Sequence, residues 1–118
     1  MRICIDIDGT ICETRVLNQD YSEVQLIPGA LESLKKFKKE GHYIILYTAR
    51  HMKTCNHNVG RVIALQGKTL MSWLEKHEVP YDELIFGKPL ADVYIDDKAV
   101  RFNQDWNETY HKTKEVGV

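Results

Sequence analysis

The stretch Arg2-Ile3-Cys4-Ile5-Asp6-Ile7-Asp8-Gly9-Thr10 decides how this chain is read. Its apolar residues predict a buried strand, and two carboxylates at the end of such a strand serve no packing purpose. Asp6 and Asp8 flank Ile7, so both side chains leave one face if the strand runs through them. Carboxylates that close repel unless a cation lies between them. A hard, oxygen-liking cation such as magnesium, at the carboxyl end of a parallel strand, satisfies the pair most simply. Gly9 permits a sharp turn that presents backbone amides to an anion.

Outward from that stretch, the size and charge of the chain narrow the classes. At 118 residues it is expected to be a single domain, 1–118, with a core large enough to need no disulfide staple. A net charge of −1 argues against bulk binding to nucleic acid or to an anionic membrane surface. Cys4, Cys12 and Cys55 are odd in number and lack CxxC spacing, which fits a reducing, cytoplasmic setting, with Cys4 expected in the core. No signal-peptide pattern follows Met1-Arg2 and no apolar run reaches membrane-spanning length.

The order of segments is that of a βα chain. Residues 11–27 are mixed and polar, too short for a cap domain, and read as a flap or hairpin whose end, Val24 to Ile27, returns extended to the body. Pro28-Gly29 opens a helix with Leu31, Leu34 and Phe37 inward, and Gly41 stops it. Tyr43 to Tyr47 is a second strand, ending in Thr48-Ala49-Arg50-His51. His51, His57 and Cys55 lack the spacing of a zinc site, and the loop that carries them reads as substrate-contacting or plainly polar. Val59 to His77 is helical, with Gly67 expected to break or kink it and Thr69 to cap a second segment. Glu83 to Phe86 is a third strand, followed by Gly87-Lys88-Pro89, where a lysine is held stiffly. Asp92 to Ile95 predicts a fourth strand ending in Asp96-Asp97, then a helical turn with Phe102 packed down. Residues 103–118 form a C-terminal tail, with Trp106, Tyr110 and His111 spaced like one helix face. Two acid pairs at two strand ends point to one carboxylate cluster around a metal.

Asp6-Ile7-Asp8-Gly9-Thr10, then Thr48 after a strand, then Lys88, then Tyr94-Ile95-Asp96-Asp97, in that order, resembles the haloacid dehalogenase-like (HAD) phosphohydrolase superfamily. The likeness runs to about Phe102. It is closer to small capless members associated with capsule or lipopolysaccharide biosynthesis, through Thr48 to Arg50, Asn58 to Gly60 and Pro80 to Pro89. It implies an α/β fold, a three-layer Rossmann-like parallel sheet of the HAD core type without a cap domain.

The resemblance also implies a chemistry. Asp6 attacks phosphorus to give an aspartyl-phosphate, and Asp8 exchanges protons with the leaving oxygen and then with water. Thr48 and the amides after Asp6 bind phosphoryl oxygens, and Lys88 neutralises charge. Magnesium is the implied cofactor, with Asp6, the Ile7 carbonyl, Asp8, Asp96 and Asp97 as its ligand set. Gly9, Thr10, Ala49, Arg50, His51, His57 and Asn58 are the substrate-binding candidates. The expected activity is that of a magnesium-dependent phosphatase acting on a small phosphorylated metabolite, a sugar phosphate or relative from polysaccharide biosynthesis. A macromolecular substrate (a phosphoprotein or a nucleic-acid end) and a non-catalytic, receiver-like phosphate-binding partner are the competing readings. A receiver would carry its adjacent acids after the first strand and its acceptor Asp after a later one, the reverse of the order here. A phosphomutase would need a cap to keep water from the intermediate. An open, capless site suits large substrates or a homo-oligomer in which a neighbouring subunit supplies the lid.

Overall fold

The N-terminal strand forms as β1 (Arg2–Asp6) in the computed structural model, which describes residues 1–116. It pairs in parallel with β2 (Tyr43–Thr48), Asp6 opposite Tyr47, and β2 pairs in parallel with β3 (Glu83–Phe86), Thr48 opposite Phe86. The sheet order is β1-β2-β3. Parallel neighbours need long crossovers, and helices supply them. These are α1 (Ala30–Lys39) between β1 and β2, and α2 (Val59–Lys76) between β2 and β3. A last helix, α3 (Trp106–Val116), packs against α1. The result is an α/β fold, a parallel sheet flanked by helices, with no cap domain inserted among the described residues.

Alternation along the strands builds the core. Ile5, Ile44 and Leu46 share the buried face, joined by Leu34 and Phe37 of α1 and by Leu70, Trp73 and Leu74 of α2. Each such apolar side chain contributes about 1.5–3 kcal/mol on burial. The other face, with Cys4, Ile45, Tyr47 and Ile85, is half-buried to exposed. Cys4 therefore lies at the surface and not in the core, because β1 is an edge strand and Cys4 sits on its open face.

Residues 11–27 fold back on themselves. Glu13 N–H donates to the Gln25 carbonyl and Ile27 N–H to the Ile11 carbonyl, with a 3₁₀ turn at Tyr21–Glu23 between. Trp73 Nε1 donates to the Val24 carbonyl at 2.9 Å and ties the segment to α2. Pro28 lies just before the helix and Gly29 is its N-cap, at φ 86°. Only glycine suits that cap, because a Cβ there would stand 2.9 Å from Trp106 Cβ.

Three further expectations are corrected. Helix α2 runs unbroken through Gly67 and Thr69, since a glycine costs only about 1 kcal/mol in a helix and the buried Leu70, Trp73 and Leu74 hold the second half down. The fourth strand is absent among the described residues. Val93, Tyr94 and Ile95 are 69%, 50% and 96% exposed, so an apolar run of strand length has no partner and no burial to make it one. The predicted turn of helix before Phe102 is likewise irregular chain, although Phe102 does pack, its ring 5.2 Å from that of Trp106. In the tail, Trp106 is buried and Tyr110 partly so, while His111 is exposed. Gly117 and Val118 lie outside the described residues.

Candidate active site

The carboxyl ends of β1 and β2 lie side by side, and the sequence places Asp6, Asp8, Thr48 and Arg50 there. Past Asp6 the chain turns tightly. The Ile7 carbonyl accepts from the Thr10, Ile11 and Cys12 amides at 3.1, 2.9 and 3.2 Å, and Gly9, at φ 85°, donates its N–H to the Cys12 carbonyl. The turn is pinned from behind by α3 and the chain just before it: Trp106 Nε1 donates to the Thr10 carbonyl at 2.7 Å, and Gln104 Nε2 to that of Gly9 at 3.3 Å.

Each carboxylate has its own cation. Lys88 Nζ stands 3.2 Å from Asp6 Oδ1, and Thr10 Oγ1 donates to Asp6 Oδ2 at 3.1 Å. Lys88 owes its position to the strand end. Its N–H donates to the Thr48 carbonyl, and Gly87 before it sits at φ 93°, where a Cβ would meet Val59 at 2.9 Å. The ammonium also lies 4.4 Å from the centre of the Tyr94 ring. Asp8 is held by Arg50, whose Nε donates to both carboxylate oxygens at 3.0 Å, and by Thr48 Oγ1 at 3.2 Å. Thr48 is fully buried and accepts in turn from the Arg50 N–H, so its hydroxyl serves to orient Asp8. Arg50 is 3% exposed, with its guanidinium carbon 4.3 Å from the centre of the Tyr21 ring. Cys12 Sγ lies between this pair, 3.6 Å from Asp8 Oδ1 and 3.8 Å from Arg50 Nη2. Burial, and after it the Asp8 charge, pushes that thiol up to about 12, so it stays protonated.

Asp6, Asp8, Lys88, Ala49, Arg50 and His51 line a cleft of about 360 Å³, within the range of small-ligand sites. Gly9 and Thr10 contribute to the turn beneath it, their N–H groups already donating to the Cys12 and Ile7 carbonyls. Asn58 is the N-cap of α2, its side chain accepting from the Arg61 N–H, and His57 is an exposed residue at φ 62°. Neither lines the cleft. Asp96 and Asp97 are exposed, Asp96 accepting from the Lys98 N–H. Among the described residues no three His, Cys, Asp or Glu side chains lie close enough together to hold a metal ion. Sequence reasoning missed Tyr21, Leu90 and Tyr94, which also line the cleft, as do Met52, Lys53 and Thr54 of the loop read as substrate-contacting or plainly polar. The signal at Tyr21 was an aromatic residue within a polar stretch, whereas Tyr94 stood in an apolar run read as a strand.

His51 shows how burial and charge act together. It sits at φ 56°, its ring 5.3 Å from that of Tyr21, and burial first, then Arg15 and Arg50, lower its pKa below the usual 6.5. His42 and His77 are lowered too, burial again first. A histidine lowered by folding contributes stability that is present above its unfolded pKa and lost as the pH falls through the folded one. The melting temperature is therefore expected to drop between about pH 7 and pH 5, less steeply in His51→Gln. Thermal unfolding followed by circular dichroism checks this, and a flat profile would contradict it.

Residues 3–69 match the sequence profile of the haloacid dehalogenase-like hydrolase family. A structural-genomics crystal structure from Vibrio cholerae superposes with a TM-score of 0.80 at 33% identity, covering 99% of this chain and 98% of that one. A chain of the Pnkp1/Rnl/Hen1 complex superposes at 0.50 with 23% identity, over 82% of this chain and 30% of that one, a likeness of fold alone. No curated protein matches the chain.

Proposed function

The chain belongs to the haloacid dehalogenase-like hydrolases, and from that membership we propose that it is a phosphomonoester hydrolase working through an aspartyl-phosphate on Asp6. The observation that carries the reading is the Asp6–Lys88 pair at 3.2 Å on the wall of an open cleft, with Asp8 clamped two residues away. A carboxylate oxygen of Asp6 attacks phosphorus, and the bond from phosphorus to the ester oxygen breaks. Asp8 gives that oxygen a proton. Water then attacks the phosphoryl group, Asp8 takes a proton from it, and inorganic phosphate leaves with Asp6 regenerated. Positioned proton transfer of this kind contributes roughly 10² to 10⁴ in rate. Lys88 lies where charge builds on the phosphoryl oxygens, and the Arg50 and Thr48 contacts hold Asp8 in one orientation.

Magnesium is the cofactor that the motif order implies. The residues as arranged do not fit it. Asp6 and Asp8 each already face a cation, the Ile7 carbonyl accepts three amides, and Asp96 and Asp97 stand apart. The proposed substrate is a small phosphorylated metabolite, a sugar phosphate or relative from surface-polysaccharide assembly, in keeping with the capless core and the closer resemblance noted above. Among the described residues no helix is long and apolar enough to cross a membrane.

Release of inorganic phosphate from phenyl phosphate tests the activity. Turnover is expected in buffer that contains magnesium. No release with the metal present would overturn the reading.

A further inference from the structure

Helix α3 lies outside the β1-α1-β2-α2-β3 unit, yet its first residue reaches the turn that follows Asp6. Trp106 is 3% exposed, and its Nε1 donates to the Thr10 carbonyl across 96 positions of chain. Thr10 in turn donates its Oγ1 to Asp6 Oδ2 at 3.1 Å. The same residue thus receives a hydrogen bond from α3 and gives one to the proposed nucleophile. Trp106 itself does not line the cleft.

The indole is fixed by more than its own bond. Asp105 caps α3, its Oδ1 accepting from the Glu108 N–H at 3.0 Å, which sets where the helix begins. The Phe102 ring packs beside the indole, and Gly29 leaves the space that Trp106 Cβ occupies. Further along, the Tyr110 ring lies 5.1 Å from that of Phe37, and Tyr110 and Lys114 both donate to the Glu40 carboxylate at the end of α1. Helix α3 is therefore braced on α1 and presents its first side chain to the catalytic turn. The Thr10 carbonyl lies in the peptide plane that follows Thr10, so holding it fixes ψ of that residue, one of its two soft torsions. That determines how the chain carries the Thr10 hydroxyl toward Asp6. A carboxylate turns easily about its last torsion unless both oxygens are held. Lys88 stands at Oδ1 and Thr10 at Oδ2, and only the Thr10 contact is set from α3.

We infer that Trp106 is a positioning residue for Asp6, acting through Thr10, so that the C-terminal helix belongs to the geometry of the reaction as well as to the fold. The inference rests on the phosphatase reading and deepens it. A purely structural tryptophan would need only its ring contacts. This one also directs its N–H at the residue that orients the nucleophile.

The test measures kcat and KM for phenyl phosphate, in buffer that contains magnesium, for the full chain, Trp106→Phe, Thr10→Val and the double variant. Thermal unfolding first shows which variants are folded at the assay temperature. Phenylalanine keeps an aromatic ring beside Phe102 and drops the N–H. Trp106→Phe is expected to lower kcat about tenfold with KM within about twofold, because a small misplacement of a reacting group slows the step without weakening binding. Thr10→Val is expected to lower kcat at least as far, and the double variant to match Thr10→Val within about twofold, since the two residues act in series. Benzothienylalanine in place of Trp106 keeps the shape of the indole and lacks only its N–H. It is expected to reproduce the loss, and it carries the test where Trp106→Phe does not fold. An unchanged kcat in a folded variant without the N–H, a loss confined to KM, or a double variant slowed by the product of the two single effects overturns the positioning role and leaves the phosphatase reading standing. Absence of phosphate release from the full chain overturns both.

Discussion

Replacing Asp6 with Asn is expected to lower phosphate release by on the order of 10⁴-fold or more while leaving the protein folded. The amide has the shape of the carboxylate but is no nucleophile toward phosphorus. Thr10 Oγ1 can still donate to the remaining oxygen, and the Lys88 side chain, 19% exposed, keeps contact with water. Denaturant unfolding should therefore find the variant within about 1 kcal/mol of the parent, as expected for a partly exposed pair. Turnover that survives the substitution would place the nucleophile elsewhere.

Arg50→Ala is expected to act on stability and activity together. The guanidinium is buried, its Nε donates to both oxygens of Asp8, and its face covers Tyr21. The pair is part-buried, with 23% of the Asp8 side chain exposed, so removing the arginine is expected to cost about 1–3 kcal/mol, less than for a fully buried pair. Thr48 Oγ1 would be the only oxygen donor left to hold Asp8, so catalysis should fall by roughly 10²-fold as well. Arg50→Lys keeps the charge but not the rigid planar geometry, and should recover only part of either loss. Urea unfolding and steady-state kinetics check both effects. An alanine variant within about 0.5 kcal/mol of the parent would contradict this account of Arg50.

The strands and the first helix were legible because their signals are local. Alternation at Arg2–Asp6, the apolar run at Tyr43–Thr48 and the Pro-Gly start before Ala30 each need only a few neighbouring residues to be read. Asp92 to Ile95 has the same local look, but a strand needs a partner, and residues 92–95 find none here. Gly67 carries a helix-breaking signal that burial of its neighbours outweighs. At the site, Asp6, Asp8 and Lys88 were read from strand ends. The clamp of Arg50 on Asp8 spans 42 positions, and the Lys88–Asp6 pair joins the ends of two different strands. No spacing rule reaches such pairs. Thr48 illustrates the difference: its place at the strand end was legible, and its bond to Asp8 was not.

The central claim is a covalent bond between phosphorus and a side-chain oxygen of Asp6. It is tested most directly by quenching the enzyme in acid during turnover and mapping the modified peptide by mass spectrometry. One added phosphoryl group on the peptide bearing Asp6, absent from Asp6→Asn, is the predicted result. Steady turnover with no adduct, or an adduct on Asp8 or His51, would contradict it.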